Sequence, residues 1–426
     1  MTQYKNSNGV LTIGGAEVTA LAKEFGTPLF IMDRAQIEEN MRAYKTAIDT
    51  AYEGNGIVQY ASKAFCTKEI CRIANAEGLG LDVVSGGELY TALSAGFPAE
   101  RICFHGNNKG LAELTYALES GVGRIVADSE EELSILDALF EGRQTVPRVL
   151  LRIKPGIEAH THDFIQTGQE DSKFGVSLQN GDALRVLCTS FKNYKLSGIH
   201  CHIGSQIFED KPFMTASDLM VKLLADVYKK SGHLMEEIDL GGGFGIRYTE
   251  KDSPRPYYDA MVATICAVRE AAEKYDVPYP RLLVEPGRSI VGEAGTTVYT
   301  VGAIKDIPGI RKYVSVDGGM ADNPRYIMYE AEYDAVLPER PDAKREELVT
   351  ICGKCCESGD ILIRDIRMPK IERGDLLAVL STGAYNYSMS SNYNRLPRPA
   401  VVMVKDGEAK LCVRRETYED IVRNDL

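Results

Sequence analysis

From residue 56 onward the chain repeats one rhythm: a short β-branched apolar run, then a longer amphipathic stretch. The runs IVQYAS, LDVV, ICFH, RIVA, RVLLRI, LSGIHCH, EIDL and LLVE read as eight strands. Strands that are apolar on both faces belong to parallel sheets covered by helices. The intervening stretches TKEICRIANAEG, GELYTALSAG, SEEELSILDALFEG and DLMVKLLADVYKKSG have helical spacing, and several end in Gly, as helices do. Eight βα units over this length predict a (β/α)8 barrel, placed at residues 31–290. A doubly wound open sheet is the competing arrangement.

Past residue 290 the helices drop out. TTVYTVGAI, YVSVD, DAVLP, ELVTICG, LLAVLS and AVVMVKD read as strands of a second, mainly β domain over 291–426. VLTIGGAEV near the start reads as a strand pair, so residues 1–30 are expected to join that domain. Two domains suit 426 residues, more than one core usually organises. With 49 basic against 61 acidic residues, the net charge of −12 argues against nucleic acid or an anionic membrane as partner. The opening MTQYKNSNGVLTIGG has no apolar core of a signal peptide, and no run reaches the ~20 apolar residues of a membrane helix. A cytoplasmic protein is expected. The ten cysteines lack a secreted framework, and Cys103, Cys188, Cys266 and Cys412 read as small buried hydrophobes.

In a barrel, chemistry gathers where the loops after the strands converge on one rim. Lys63 ends the first strand; it is either a surface lysine or an amine whose desolvation suits Schiff-base chemistry. IHCHIGSQ, at the sixth strand, offers His200, His202 and Ser205, as metal ligands, as a flat ring laid on an aromatic cofactor, or as core histidines. No thiolate or carboxylate stands at a zinc spacing from them, so no metal is expected. Gly241, Gly242 and Gly243 in DLGGGFGI, after the seventh strand, suit a phosphate cradle rather than a dinucleotide fingerprint. VEPGRSIV brings Glu285 and Arg288 to the eighth strand's end, as a structural pair or as a proton holder with an anion fork. DGGMADNPRYIMY, CGKCCESGD and STGAYNYS are polar glycine-bearing loops of the β domain.

Taken together and in order, YASKA, HIGSQ, GGGFG, EPGR, DGGM with NPR, CESGD and GAY resemble the fold type III pyridoxal-phosphate decarboxylases, over nearly the whole chain. The nearest branch is the diaminopimelate decarboxylases. The resemblance implies that Lys63 holds pyridoxal 5'-phosphate as a Schiff base, that His202 stacks on its ring and that Glu285 pairs with the ring nitrogen. Ser205, Gly241 to Gly243, the turn Glu285, Pro286, Gly287, Arg288 and Tyr385 would hold the phosphate. Arg288, Arg325, Tyr329, Glu357 and Tyr385 would contact substrate. Cys356 would donate the proton that replaces CO2, delivered with Glu357 from the partner subunit of a homodimer. Many relatives have Pro after the arginine that matches Arg325; here Tyr326 follows.

The implied substrate is meso-2,6-diaminopimelate and the product L-lysine. A distal carboxylate and ammonium call for both charges, which Arg325 and Glu357 provide. Rival readings are a decarboxylase of carboxynorspermidine or of lysine, ornithine or arginine, an amino-acid racemase, and a cofactor-carrying protein without catalysis. The last is usually a barrel alone, which the β domain speaks against.

Overall fold

The computed structural model describes residues 4–5, 8–157 and 172–426. It separates into two compact units. One comprises Asn40–Gly245 and Pro254–Ser289; the other comprises Met1–Glu39, Ile246–Ser253 and Ile290–Leu426.

The first unit is a closed parallel barrel. Its strands, in chain and ring order, are Gly56–Ala61, Gly80–Val83, Ile102–Phe104, Arg124–Ala127, Arg148–Lys154, Leu196–His200, Glu237–Asp239 and Arg281–Val284. The ring closes where the eighth strand pairs with the first, Val284 opposite Val58. Val176–Ser177 adds a short parallel pairing to the fifth strand. Val83, Phe104, Val126 and Leu150 are buried, which is why these segments read as continuous apolar runs. Three of these runs are followed by helices with side-chain caps. Thr67, Ser85 and Ser129 accept hydrogen bonds from the amides of Ile70, Glu88 and Glu132, satisfying donors that the first turn leaves open.

The second unit is a mixed sheet. Its strand path runs Ile361–Met368, Glu347–Cys352, Arg311–Val316, Gly295–Ile307, Leu29–Asp33, Ala400–Lys405 and Glu408–Val413, with Leu376–Val379 branching from the long Gly295–Ile307 strand and Ala335–Val336 pairing with Leu376–Val379 in turn. Leu29–Asp33 lies parallel to Ala400–Val404 and antiparallel to Gly295–Val298, so both ends of the chain share one sheet. Its two faces bury separate clusters, one around Tyr299, Val314 and Leu362, the other around Leu29, Val298 and Val402.

The expectation of four buried cysteines needs correction. Cys103 is buried in the barrel, but Cys188 and Cys412 are half-buried and Cys266 is exposed. Cys188 ends the short helix Asp182–Leu187, Cys412 sits on the outermost strand of the sheet, and Cys266 lies on the outer side of the helix Tyr257–Tyr275. An apolar neighbour in sequence does not place a side chain on the buried side of an amphipathic element.

Candidate active site

The barrel rim gathers one polar group from nearly every strand end. Lys63 lies in the single 3-10 turn Ser62–Ala64 that ends the first strand, and its Nζ stands 3.6 Å from Oδ2 of Asp82 on the second. The turn is held from outside the ring: Ser62 Oγ donates to Glu88 Oε2 at 2.8 Å, and the Val84 amide donates to the same oxygen at 2.8 Å. Asp82 is fully buried, and its carboxylate oxygens have no hydrogen-bond partner among the described residues. Burial raises its pKa, partly countered by His105 and Lys63.

Glu285 follows the eighth strand and is buried. His105, beyond the third strand, places Nε2 at 2.7 Å from its Oε1; His200, closing the sixth, places Nε2 at 3.3 Å from its Oε2. Burial alone pushes the Glu285 carboxyl up, but the two imidazoles outweigh it and hold the group well below the usual carboxylate range. Burial depresses His200 to about 4, so at neutral pH it is an uncharged ring. Asp239 moves the other way: burial first, then repulsion from Glu285, raise it well above an ordinary aspartate. Two neighbouring carboxyl groups pushed apart in this way divide the roles of acid and base.

His202 is half-buried, and burial followed by the Lys63 charge pushes its imidazole well down. Its Nδ1 accepts the Gly242 amide at 3.2 Å, which leaves the flat ring fixed beside the glycine loop. In that loop Gly241 has φ +67°, a conformation L-residues rarely adopt. A Cβ on Gly242 would stand 2.2 Å from the Glu285 carbonyl oxygen, so only glycine permits the seventh and eighth strand ends to approach this closely. Arg288, buried, donates through Nε at 3.1 Å and Nη2 at 3.0 Å to Ser205 Oγ. The residues Ser205, Gly241 to Gly243 and Glu285 to Arg288 are thus all at the ends of the sixth, seventh and eighth strands.

Within the β unit a second constellation surrounds Arg325, which begins the short helix Arg325–Tyr329. Its guanidinium is buried, and Nη1 donates to the hydroxyls of Tyr248 at 2.8 Å and Tyr333 at 2.9 Å. The rings of Tyr329 and Tyr385 stand 5.9 Å from its carbon. Burial disfavours the charge and the two phenol oxygens more than offset it, so the cation persists. Its Nε has no hydrogen-bond partner among the described residues. Tyr385 has φ +69°, a strained backbone of the kind found at binding sites. Cys356 and Glu357 are exposed. Their loop is tied down by Asp360, which accepts the amides of Met320 at 2.6 Å and Cys355 at 2.7 Å and so joins DGGM to CESGD.

The model of the pyridoxal-dependent decarboxylase pyridoxal-binding domain matches residues 34–292. A diaminopimelate decarboxylase of Bacillus subtilis is 51% identical, covering 100% of this chain and 97% of its own. One of Staphylococcus aureus is 47% identical over 100% of both. The chain belongs to the diaminopimelate decarboxylase family. Among solved structures, a diaminopimelate decarboxylase of M. jannaschii in complex with L-lysine is 34% identical with a TM-score of 0.91, covering 100% of this chain and 98% of that one.

Members of this family use pyridoxal 5'-phosphate, and the rim residues fit it. The glycine loop is a cradle with no room for a Cβ, the Lys63 amine can take the aldehyde, and the buried Glu285 carboxylate can meet a ring nitrogen. The cofactor supplies an electron sink for the bond that breaks. Several residues of the site escape a reading of the sequence: Asp82, His105, Arg152 and Asp239 in the barrel, Tyr248, Tyr333 and Asp360 in the β unit. For Asp82 the signal was present, an acid inside the apolar run LDVV. Tyr248 had none, because the segment Ile246–Ser253 leaves the barrel in the middle of its sequence to join the β unit.

Proposed function

We propose that this family member removes one carboxylate of meso-2,6-diaminopimelate, giving L-lysine and CO2, and that it does so in the cytoplasm as a homodimer. The observation that carries the substrate is Arg325. A guanidinium buried among four tyrosines, with no carboxylate paired to it among the described residues, has given up its hydration for neutral partners. Such a charge is costly unless a ligand brings an anion. The distal carboxylate of diaminopimelate is that anion. Lysine, ornithine and arginine carry only a cationic group at their far end and have no use for it.

Lys63 would hold the cofactor through its amine, His202 would lie against the ring, and Glu285 would keep a proton at its nitrogen. Ser205, Gly241 to Gly243, Pro286, Gly287, Arg288 and Tyr385 bind the phosphate; Arg288 also stands with Arg325, Tyr329, Tyr385 and Glu357 for substrate. Cys356, exposed on its own chain, supplies the proton that replaces CO2 and serves the site of the other subunit together with Glu357. The test is incubation with meso-diaminopimelate and cofactor, with CO2 measured and lysine resolved by chiral chromatography. L-lysine in proportion to CO2 is expected. Turnover of lysine, ornithine or carboxynorspermidine with diaminopimelate untouched would replace this reading.

A further inference from the structure

The two histidines that face Glu285 have no part in the scheme above, yet they are buried in the barrel with their Nε2 atoms toward opposite oxygens of one carboxylate. They come from different strand ends, and their rings pack edge to face with centroids 5.0 Å apart. We infer that His105 and His200 are positioning residues that hold Glu285 as a proton acceptor, so that the proton shared with the cofactor stays on the ring nitrogen. This rests on the reading of Glu285 as the partner of that nitrogen.

The chemistry follows from who donates to whom. A carboxylate with an imidazole nitrogen against each of its oxygens is less basic than a bare one in the same apolar surroundings. The proton in the nitrogen–carboxylate pair then lies toward the nitrogen, which is the electron sink the reaction needs. Other charges face Glu285 as well. The Glu285 charge raises the proton affinity of Asp82, Asp239 and Cys103, whereas Arg152 and Lys63 oppose that effect at Asp82. The acidic neighbours would return the proton to Glu285 if the imidazoles were absent. Asp82 also stands 3.8 Å from His105 Nε2, so His105 sits between two acids and separates them.

The test uses the full-length holoprotein reconstituted with pyridoxal phosphate labelled with nitrogen-15 in the ring, and reads the ring-nitrogen resonance from pH 6 to 8. The parent protein should show a protonated nitrogen throughout. His105→Leu and His200→Leu should move the resonance toward the neutral-pyridine position, and the double variant should move it further. His105→Gln and His200→Gln, which keep an N–H near Nε2, should restore most of the parent value. Glu285→Gln is the control and should give a neutral nitrogen. A neutral signal in that control alone, with both leucine variants like the parent, overturns the inference and leaves the reading of Glu285 standing. A protonated nitrogen in Glu285→Gln overturns both.

A second readout needs no substituted histidine. In the cofactor-free protein labelled with carbon-13 at glutamate carboxyls, the Glu285 signal, identified by its loss in Glu285→Gln, should stay ionised down to pH 4.5. Titration above that value would overturn the inference even if the leucine variants failed to fold. The three groups are also close enough to share a cation. One zinc ion per chain by elemental analysis, lost together with His105 or His200, would likewise overturn it.

Discussion

A guanidinium held by phenols keeps its charge but has no counter-ion among the described residues, and on the proposed function that imbalance makes Arg325 selective for the distal carboxylate. A charge-assisted pair in such a place contributes about 1.5–3 kcal/mol, or about 10- to 150-fold in affinity. Arg325→Ala should therefore weaken binding of diaminopimelate by that factor while changing that of an analogue without the distal carboxylate far less; equal losses in competition binding would make the residue structural. His200 gives a different residue-scale prediction. Its folded pKa of about 4 lies below the ordinary 6.5, so between those values the unfolded chain holds a proton that the folded one does not. Stability then rises with pH across that window and is fully present above 6.5. Urea unfolding of the cofactor-free protein should show the slope, and His200→Gln should reduce it by up to one proton's worth, about 1.4 kcal/mol per pH unit. An unchanged slope would mean that the ring is protonated in the folded barrel.

At the scale of elements, the barrel is braced at its other end. Arg124, on the fourth strand, donates to Glu237, on the seventh, through Nε at 2.9 Å and Nη2 at 2.7 Å, and both are buried. Strands three places apart in the ring meet only through the interior, so this pair ties the cylinder across its middle. Glu237 is also 3.2 Å from Arg148 Nη1. Removing Glu237 therefore strands the Arg124 charge, which costs about 3–5 kcal/mol, whereas removing Arg124 leaves Glu237 one cation; replacing both with apolar residues costs much less than the stranded charge. Glu237→Leu should lower stability by about that amount in chemical denaturation and Arg124→Met by less, and the double variant should recover most of the Glu237→Leu loss. Additive losses would show that the two residues act independently and that no stranded charge sets the stability. The pair also marks what a sequence reading can reach. The strands were legible because burial on both faces writes continuous apolar runs, and the rim residues because each follows such a run. The strand Ile361–Met368 was not, since Arg364, Asp365 and Arg367 break its apolar pattern on a half-exposed sheet. Arg124 and Glu237, like His105 and Glu285, are 113 and 180 residues apart, and ring closure alone brings them together.

For the whole molecule, the proposed homodimer makes a specific prediction about which chain's Cys356 serves which chain's Lys63. Cys356 is exposed and belongs to the β unit, whereas Lys63 belongs to the barrel. Ile327 and Met328, on the helix that carries Arg325, are exposed too, with Ile327 against Gly359 of the Cys356 loop, an apolar surface suited to burial by another subunit. If each site is shared, Lys63→Ala and Cys356→Ala should both be nearly inactive alone. Mixing equal amounts under conditions of subunit exchange makes about half of the dimers mixed, and two-fold symmetry gives each mixed dimer one site with both residues and one with neither. Activity should climb to about a quarter of that of the unsubstituted enzyme. The exchange must be proved independently, by mass-tagging one variant and resolving the mixed dimer. If Cys356 serves the Lys63 of its own chain, every site in the mixture lacks one residue, and activity stays at the level of the two parents however completely the subunits exchange.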